Sequence, residues 1–137
     1  MEKLTVKNEY PPNYDYIKQF FPAEAHKAIF AYGQIIYNPF KVEIPPDVEV
    51  HEATHTKQQK SFATPDLWWL RYCTDTEFRK WEEVEAYANQ YKSLKAVLRE
   101  KVYRLALDEF AEVLSGPLYN LGITKNQAHS LIKRKAK

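Results

Sequence analysis

Apolar and polar positions along this chain follow two regimes, one suited to strands and one to helices. The run Ala28-Ile29-Phe30-Ala31-Tyr32-Gly33-Gln34-Ile35-Ile36-Tyr37 is β-branched and aromatic. It predicts one long bent strand, or two short strands with a turn at Gly33, stopped by Asn38-Pro39. From Thr76 to Leu94 the period changes. Trp81, Val84, Ala88 and Tyr91 recur at helical spacing, and Glu83, Ala86, Tyr87 and Gln90 make a second, mixed face. A long amphipathic helix is predicted next, from about Ser93 to Leu114. Its apolar side carries Leu94, Val97, Leu98, Val102, Leu105, Phe110 and Val113, and Gly116-Pro117 ends it. Thr124 and Gln127 have the spacing of a capping box opening a last helix, Lys125 to Lys135. Shorter helices are expected at Tyr16 to Phe21, after a loop from Tyr10 to Tyr16, and at Asp66 to Tyr72, after Thr64-Pro65.

One further helix is announced by its ends. Pro45-Pro46-Asp47 suits a first turn, where proline loses no hydrogen bond and an acid meets the positive end of the dipole. Lys57-Gln58-Gln59-Lys60 places cations in the last turn. Between them lies His51-Glu52-Ala53-Thr54-His55, an H-E-x-x-H pattern. Residues four apart share a helix face, so both imidazoles can point at one metal ion, with Glu52 beside them as a general base. Zn²⁺ takes such nitrogens readily in a tetrahedral site. The structural alternative is an ordinary solvated helix face.

A zinc site that keeps a position for water needs a third protein ligand. His26 and His129 lie far off in sequence, so the cluster Glu82-Glu83-Val84-Glu85 supplies the candidates. A carboxylate buried on a two-faced helix requires a metal or a cation. Otherwise the glutamates are solvated or pair with Arg79 and Lys80. The edge of the amphipathic stripe favours Glu85.

Net charge is +2 over 137 residues, which argues against nucleic acid as a partner. The basic end, Lys133-Arg134-Lys135-Ala136-Lys137, reads as dipole partners and solubility. The length suits one core and one domain, 1–137. The aromatic residues are many, and Trp68, Trp69 and Trp81 are expected in the core or as a wall behind the metal. Cys73, the one cysteine, cannot form an internal disulfide and reads as a small buried hydrophobe. Met1 to Tyr10 lacks a signal-peptide core, and no run is long enough to span a membrane.

The His51–His55 motif with Glu83-Val84-Glu85-Ala86-Tyr87 resembles a zincin of the gluzincin type, whose later helix often reads E-x-E-A-D. In that alignment Glu83 is the third ligand, and Tyr87 stands where an acid commonly orients a zinc-bound histidine. The chain is more closely similar to small phage-encoded HExxH metallopeptidases. The similarity runs through Phe30 to Pro39, His51 to Gln59, Trp68-Trp69-Leu70-Arg71-Tyr72, Phe78-Arg79, Glu83 to Tyr87, and Ser115-Gly116-Pro117-Leu118-Tyr119. It implies a phage or prophage protein, acting in the host cytoplasm or associated with the virion. Peptides or proteins would be its substrates, and other phage proteins are candidate partners.

The expected fold is therefore α+β and mostly helical, a minimal zincin-like domain with a short strand or hairpin beside the motif helix, whose edge could receive substrate backbone. The expected function is zinc-dependent peptide hydrolysis: His51, His55 and Glu83 hold Zn²⁺, Glu52 is the base, and Tyr119 or Tyr87 is a donor to the oxyanion. The alternative is a non-catalytic, metal-stabilised virion or assembly component.

Overall fold

A computed structural model describes residues 4–137. Met1, Glu2 and Lys3, the start of the segment read as having no leader, lie outside the described residues. The fold is α+β and mostly helical. The described elements run β1 (Thr5–Lys7), α1 (Tyr14–Ile17), β2 (Phe30–Tyr32), β3 (Ile35–Tyr37), α2 (Pro46–Gln59), α3 (Pro65–Thr74), α4 (Thr76–Lys95), α5 (Glu100–Leu114) and α6 (Lys125–Lys135).

The aromatic run forms two strands, not one. Gly33 has φ +61° and opens a two-residue connection, so β2 pairs antiparallel with β3 in the register Phe30–Tyr37, Ala31–Ile36, Tyr32–Ile35. Positive φ at the first of two turn residues is the conformation glycine supplies without strain. β1 then adds in parallel to the other side of β3, giving the order β1-β3-β2. Sequence reading did not foresee β1. Its side chains are all exposed, so no alternating apolar pattern marks it.

α2, α3, α4 and α6 lie close to their expected positions. Thr64, Asp75 and Thr124 each accept a hydrogen bond from a backbone N–H three residues on, and the Thr124–Gln127 capping box is complete. α1 begins two residues before the expected helix and stops at Ile17, with turn hydrogen bonds carrying the chain on to Phe21.

The expected helix from Ser93 to Leu114 is corrected. α4 continues to Lys95, the chain turns through 96–99, and Arg99 is extended before α5. A continuous helix from Thr76 to Leu114 would be a rod of roughly 58 Å, too long to bury both halves in a domain of this size. Folding back lets α5 pack on α4 and α6. The buried side of α5 is Leu107, Ala111 and Leu114 with partly buried Tyr103 and Phe110, while Val97 is 77% and Leu105 61% exposed. Trp81 is likewise exposed, under the ammonium of Lys80, and does not join the core.

Two apolar clusters result. Val84, Tyr87 and Tyr91 of α4 pack with α5 and α6 around Leu107, Leu114 and Ile132. Ile17, Phe30 and Tyr37 pack with Trp68, Trp69, Tyr72 and Cys73 of α3. Trp68 is fully buried, and burial pushes the Cys73 thiol up to about 12, as a small apolar residue requires. α2 lies against α4, β2 and α3, and what it buries is mainly polar: His51, Glu52, Thr54, His55, Thr56, Gln58 and Gln59. Among the described residues no helix is long and apolar enough to cross a membrane.

Candidate metal centre

One helical turn separates His51 from His55, and both rings turn from α2 toward α4, where they are buried. Glu83, 3% exposed, meets them from α4. One of its oxygens lies 3.2 Å from His51 Nε2 and the other 3.2 Å from His55 Nε2. Glu52 is also buried, with its carboxylate 3.9 Å from His51 Nε2. His51, Glu52 and His55 offer ligand atoms that all lie within 4.8 Å of one another, so this buried His–Glu–His group could hold a metal ion.

Glu83 fits the place of a third ligand better than Glu52. A tetrahedral ion bound at about 2.0–2.1 Å from nitrogen and oxygen sets its ligand atoms roughly 3.3 Å apart, close to the spacing of Glu83 from each ring. Glu83 Oε1 is buried and meets no hydrogen-bond donor besides the His51 ring that it faces at 3.2 Å, and a cation between the two would satisfy it. Its Oε2 accepts a hydrogen bond from the Tyr72 hydroxyl. Glu85, the stripe's candidate, faces Gln58 and not the ring nitrogens. It accepts from Gln58 Nε2 at 2.9 Å and, with Glu82, lines a second hollow on another face of α2. Glu82 accepts from Trp68 Nε1 at 2.9 Å. Arg79 and Lys80 pair with none of these three: Lys80 bonds Glu77, and Arg79 is buried among backbone carbonyls.

The rings are oriented by residues that sequence reading passed over. His51 Nδ1 lies 2.9 Å from Gln90 Oε1, and His55 Nδ1 lies 2.8 Å from Gln58 Oε1. An amide oxygen only accepts, so each Nδ1 carries a proton toward it and each Nε2 faces the cluster. Their only signals in the sequence were Gln90 on the mixed face and Gln58 three residues after His55. His26 and His129 lie outside the cluster.

The charges of these buried side chains act strongly on one another. Burial disfavours the charged His55 ring, but the Glu83 carboxylate outweighs it and raises the ring's pKa to about 10. Burial would raise Glu83, yet His55 and His51 hold it well below the usual carboxylate range. Glu52 goes the other way: burial raises it, against the pull of both histidines.

The cluster lies at a cleft of about 410 Å³ whose other walls include Phe21, Phe30, Phe110, Val113 and Leu118. Tyr119 and Tyr87 also line it, with their hydroxyls 2.9 Å apart. Arg79 fixes the loop that carries Tyr119, donating to the Tyr119 carbonyl at 2.9 Å and to Tyr72 O at 2.7 Å. The strand edge beside the cleft departs from expectation. The Ala31 carbonyl already accepts from Gln59 Nε2 at 2.7 Å and from Trp69 Nε1 at 3.0 Å, and Gly33 N–H donates to Gln59 Oε1 at 2.7 Å. With both lone pairs used, Ala31 has no acceptor left for an added strand. Comparison with protein-family models, with curated proteins and with solved structures finds no match.

Proposed function

We propose that this protein is a zinc-dependent peptide hydrolase, with His51, His55 and Glu83 as the metal ligands and Glu52 as the general base. The observation that carries this reading is the pair of 3.2 Å spacings from the Glu83 oxygens to the two Nε2 atoms, with Glu52 held beside them. Bound there, Zn²⁺ supplies Lewis acidity and a water of lowered pKa.

The protein's own residues do the rest. Burial raises the Glu52 carboxyl against the pull of both histidines, and a higher proton affinity favours a general base. Glu52 takes the proton of the attacking water and returns it to the departing amine. Tyr119 reaches into the cleft as a hydrogen-bond donor, and burial keeps its hydroxyl protonated. Tyr87 holds that hydroxyl in place. The apolar walls offer a surface for the side chains flanking the bond. With the Ala31 edge capped, substrate is aligned by these walls and by Tyr119.

Elemental analysis of untagged protein should give about one zinc per chain. A proteolysis screen with and without chelator then tests turnover. Glu52→Gln should keep the zinc and the fold while turnover drops by roughly 10²-fold or more. A parent protein that takes up no zinc on dialysis would end the metal reading. A Glu52→Gln variant with zinc and full activity would remove Glu52 from the chemistry.

A further inference from the structure

Each imidazole is held by the same three-part construction. On the His51 side, Gln90 Nε2 donates to Asp47 Oδ2 at 2.8 Å, which turns its Oε1 to His51 Nδ1 at 2.9 Å. On the His55 side, Gln58 Nε2 donates to Glu85 Oε1 at 2.9 Å and to the Glu82 carbonyl at 3.0 Å, which turns its Oε1 to His55 Nδ1 at 2.8 Å. The two amides are approached by acceptors at their nitrogens, so neither can flip without facing oxygen against oxygen.

We infer that Gln90 and Gln58 are positioning residues that fix the Nε2 lone pairs of His51 and His55 on one point, and that Asp47 and Glu85 set those amides from outside. A carboxylate placed directly on each Nδ1 would orient the ring equally well. It would also bring two more charges into a pocket that already buries Glu52 and Glu83. The amides pass on the orientation and leave the charge one residue further out. Glu85 and Glu83 thus belong to one site in different ways: Glu83 through its oxygens, Glu85 through Gln58.

The inference rests on the metal reading and not on catalysis, and its test needs no substrate. The full chain, labelled with ¹⁵N-histidine and loaded with Zn²⁺, gives two-bond ¹H–¹⁵N spectra that identify which ring nitrogen is bound. Both rings should be metal-bound at Nε2 and protonated at Nδ1. Zinc affinity, read by competition with a chromophoric chelator, should weaken roughly 10- to 100-fold in Gln90→Leu and in Gln58→Leu. Because those changes lie in the interior, the outer groups give a second reading. Asp47→Ala and Glu85→Ala should each weaken binding several-fold, while Asp47→Asn and Glu85→Gln, which keep an acceptor oxygen, should restore it. A structural role alone would leave the ring signature and this rescue pattern unmoved. If the parent binds zinc and both leucine variants bind as tightly, or the rings bind through Nδ1, the clamps are overturned and the metal reading stands. If the parent takes up no zinc, the metal reading falls and the clamps fall with it.

Discussion

Gln59 joins the motif helix to the hairpin, and its removal has a cost that follows from the contacts. Gln59→Met keeps the length of a side chain that is 3% exposed and deletes its two bonds, both 2.7 Å. Gly33 N–H loses its acceptor. An orphaned buried donor costs about 1–3 kcal/mol, and partial burial here places it at the lower end. The Ala31 carbonyl keeps Trp69 at 3.0 Å, so the second loss is an ordinary hydrogen bond, about 0.5–1.5 kcal/mol. The expected destabilisation is about 2 kcal/mol, read from the urea midpoint at unchanged slope. Trp69→Phe makes the reasoning stricter. Either single variant leaves Ala31 one donor and the double leaves none, so the pair should cost about 1–2 kcal/mol more than the two added. A Gln59→Met cost below about 0.5 kcal/mol, or additivity of the two within about 0.5 kcal/mol, would refute the argument.

The other predictions concern the folded-back helix and the charged pocket. Leu107→Ala should cost about 2–5 kcal/mol in urea unfolding, because Leu107 is 2% exposed, whereas Leu105→Ala at 61% exposed should stay within about 0.5 kcal/mol; the reverse order would restore Leu105 to the core. In chelated protein, His55 is raised from 6.5 to about 10 and Glu83 is lowered from 4.5. The His55 contribution is complete below pH 6.5 and lost as pH rises toward 10, and that of Glu83 is complete above 4.5 and lost on acidification. The stability difference between parent and His55→Asn should therefore be greatest between pH 4.5 and 6.5, and a flat difference over pH 5–10 would contradict the pairing.

The parts of this fold legible in the sequence are those with local signals. α2 was marked by Pro46 and Lys57, α6 by its capping box, the hairpin turn by Gly33, and the histidine pair by its spacing alone. The turn between α4 and α5 had no such mark, since Ala96-Val97-Leu98-Arg99 contains neither glycine nor proline. Packing of α5 on α4 and α6 decided it, and with it which leucines are buried. β1 was invisible for a related reason: three exposed residues pair with a strand some thirty positions away. The ambiguity between Glu83 and Glu85 was one of direction. Both side chains meet α2, Glu83 at the two rings and Glu85 at Gln58, and the periodicity of α4 does not say which of them reaches the ring nitrogens.

What positions α2 is unusual for a helix at the centre of a domain. Its buried residues include no large aliphatic side chain, so hydrophobic burial contributes little to its placement. It is held by directional bonds to each side: Gln59 to the hairpin, Gln58 to the Glu82 carbonyl and Glu85 of α4, and Asp47 to Gln90 of α4. The two apolar clusters supply the rigid bodies to which those bonds attach, one under α4 and one under the hairpin and α3. Hydrogen bonds fix distances and angles that a greasy contact leaves loose, at the cost of little net stability per bond. In α2 that exchange accompanies two ring nitrogens held at 3.2 Å from one carboxylate. Substitutions along α2 should consequently disturb the geometry of the site before they unfold the chain, and those in the two clusters should do the reverse.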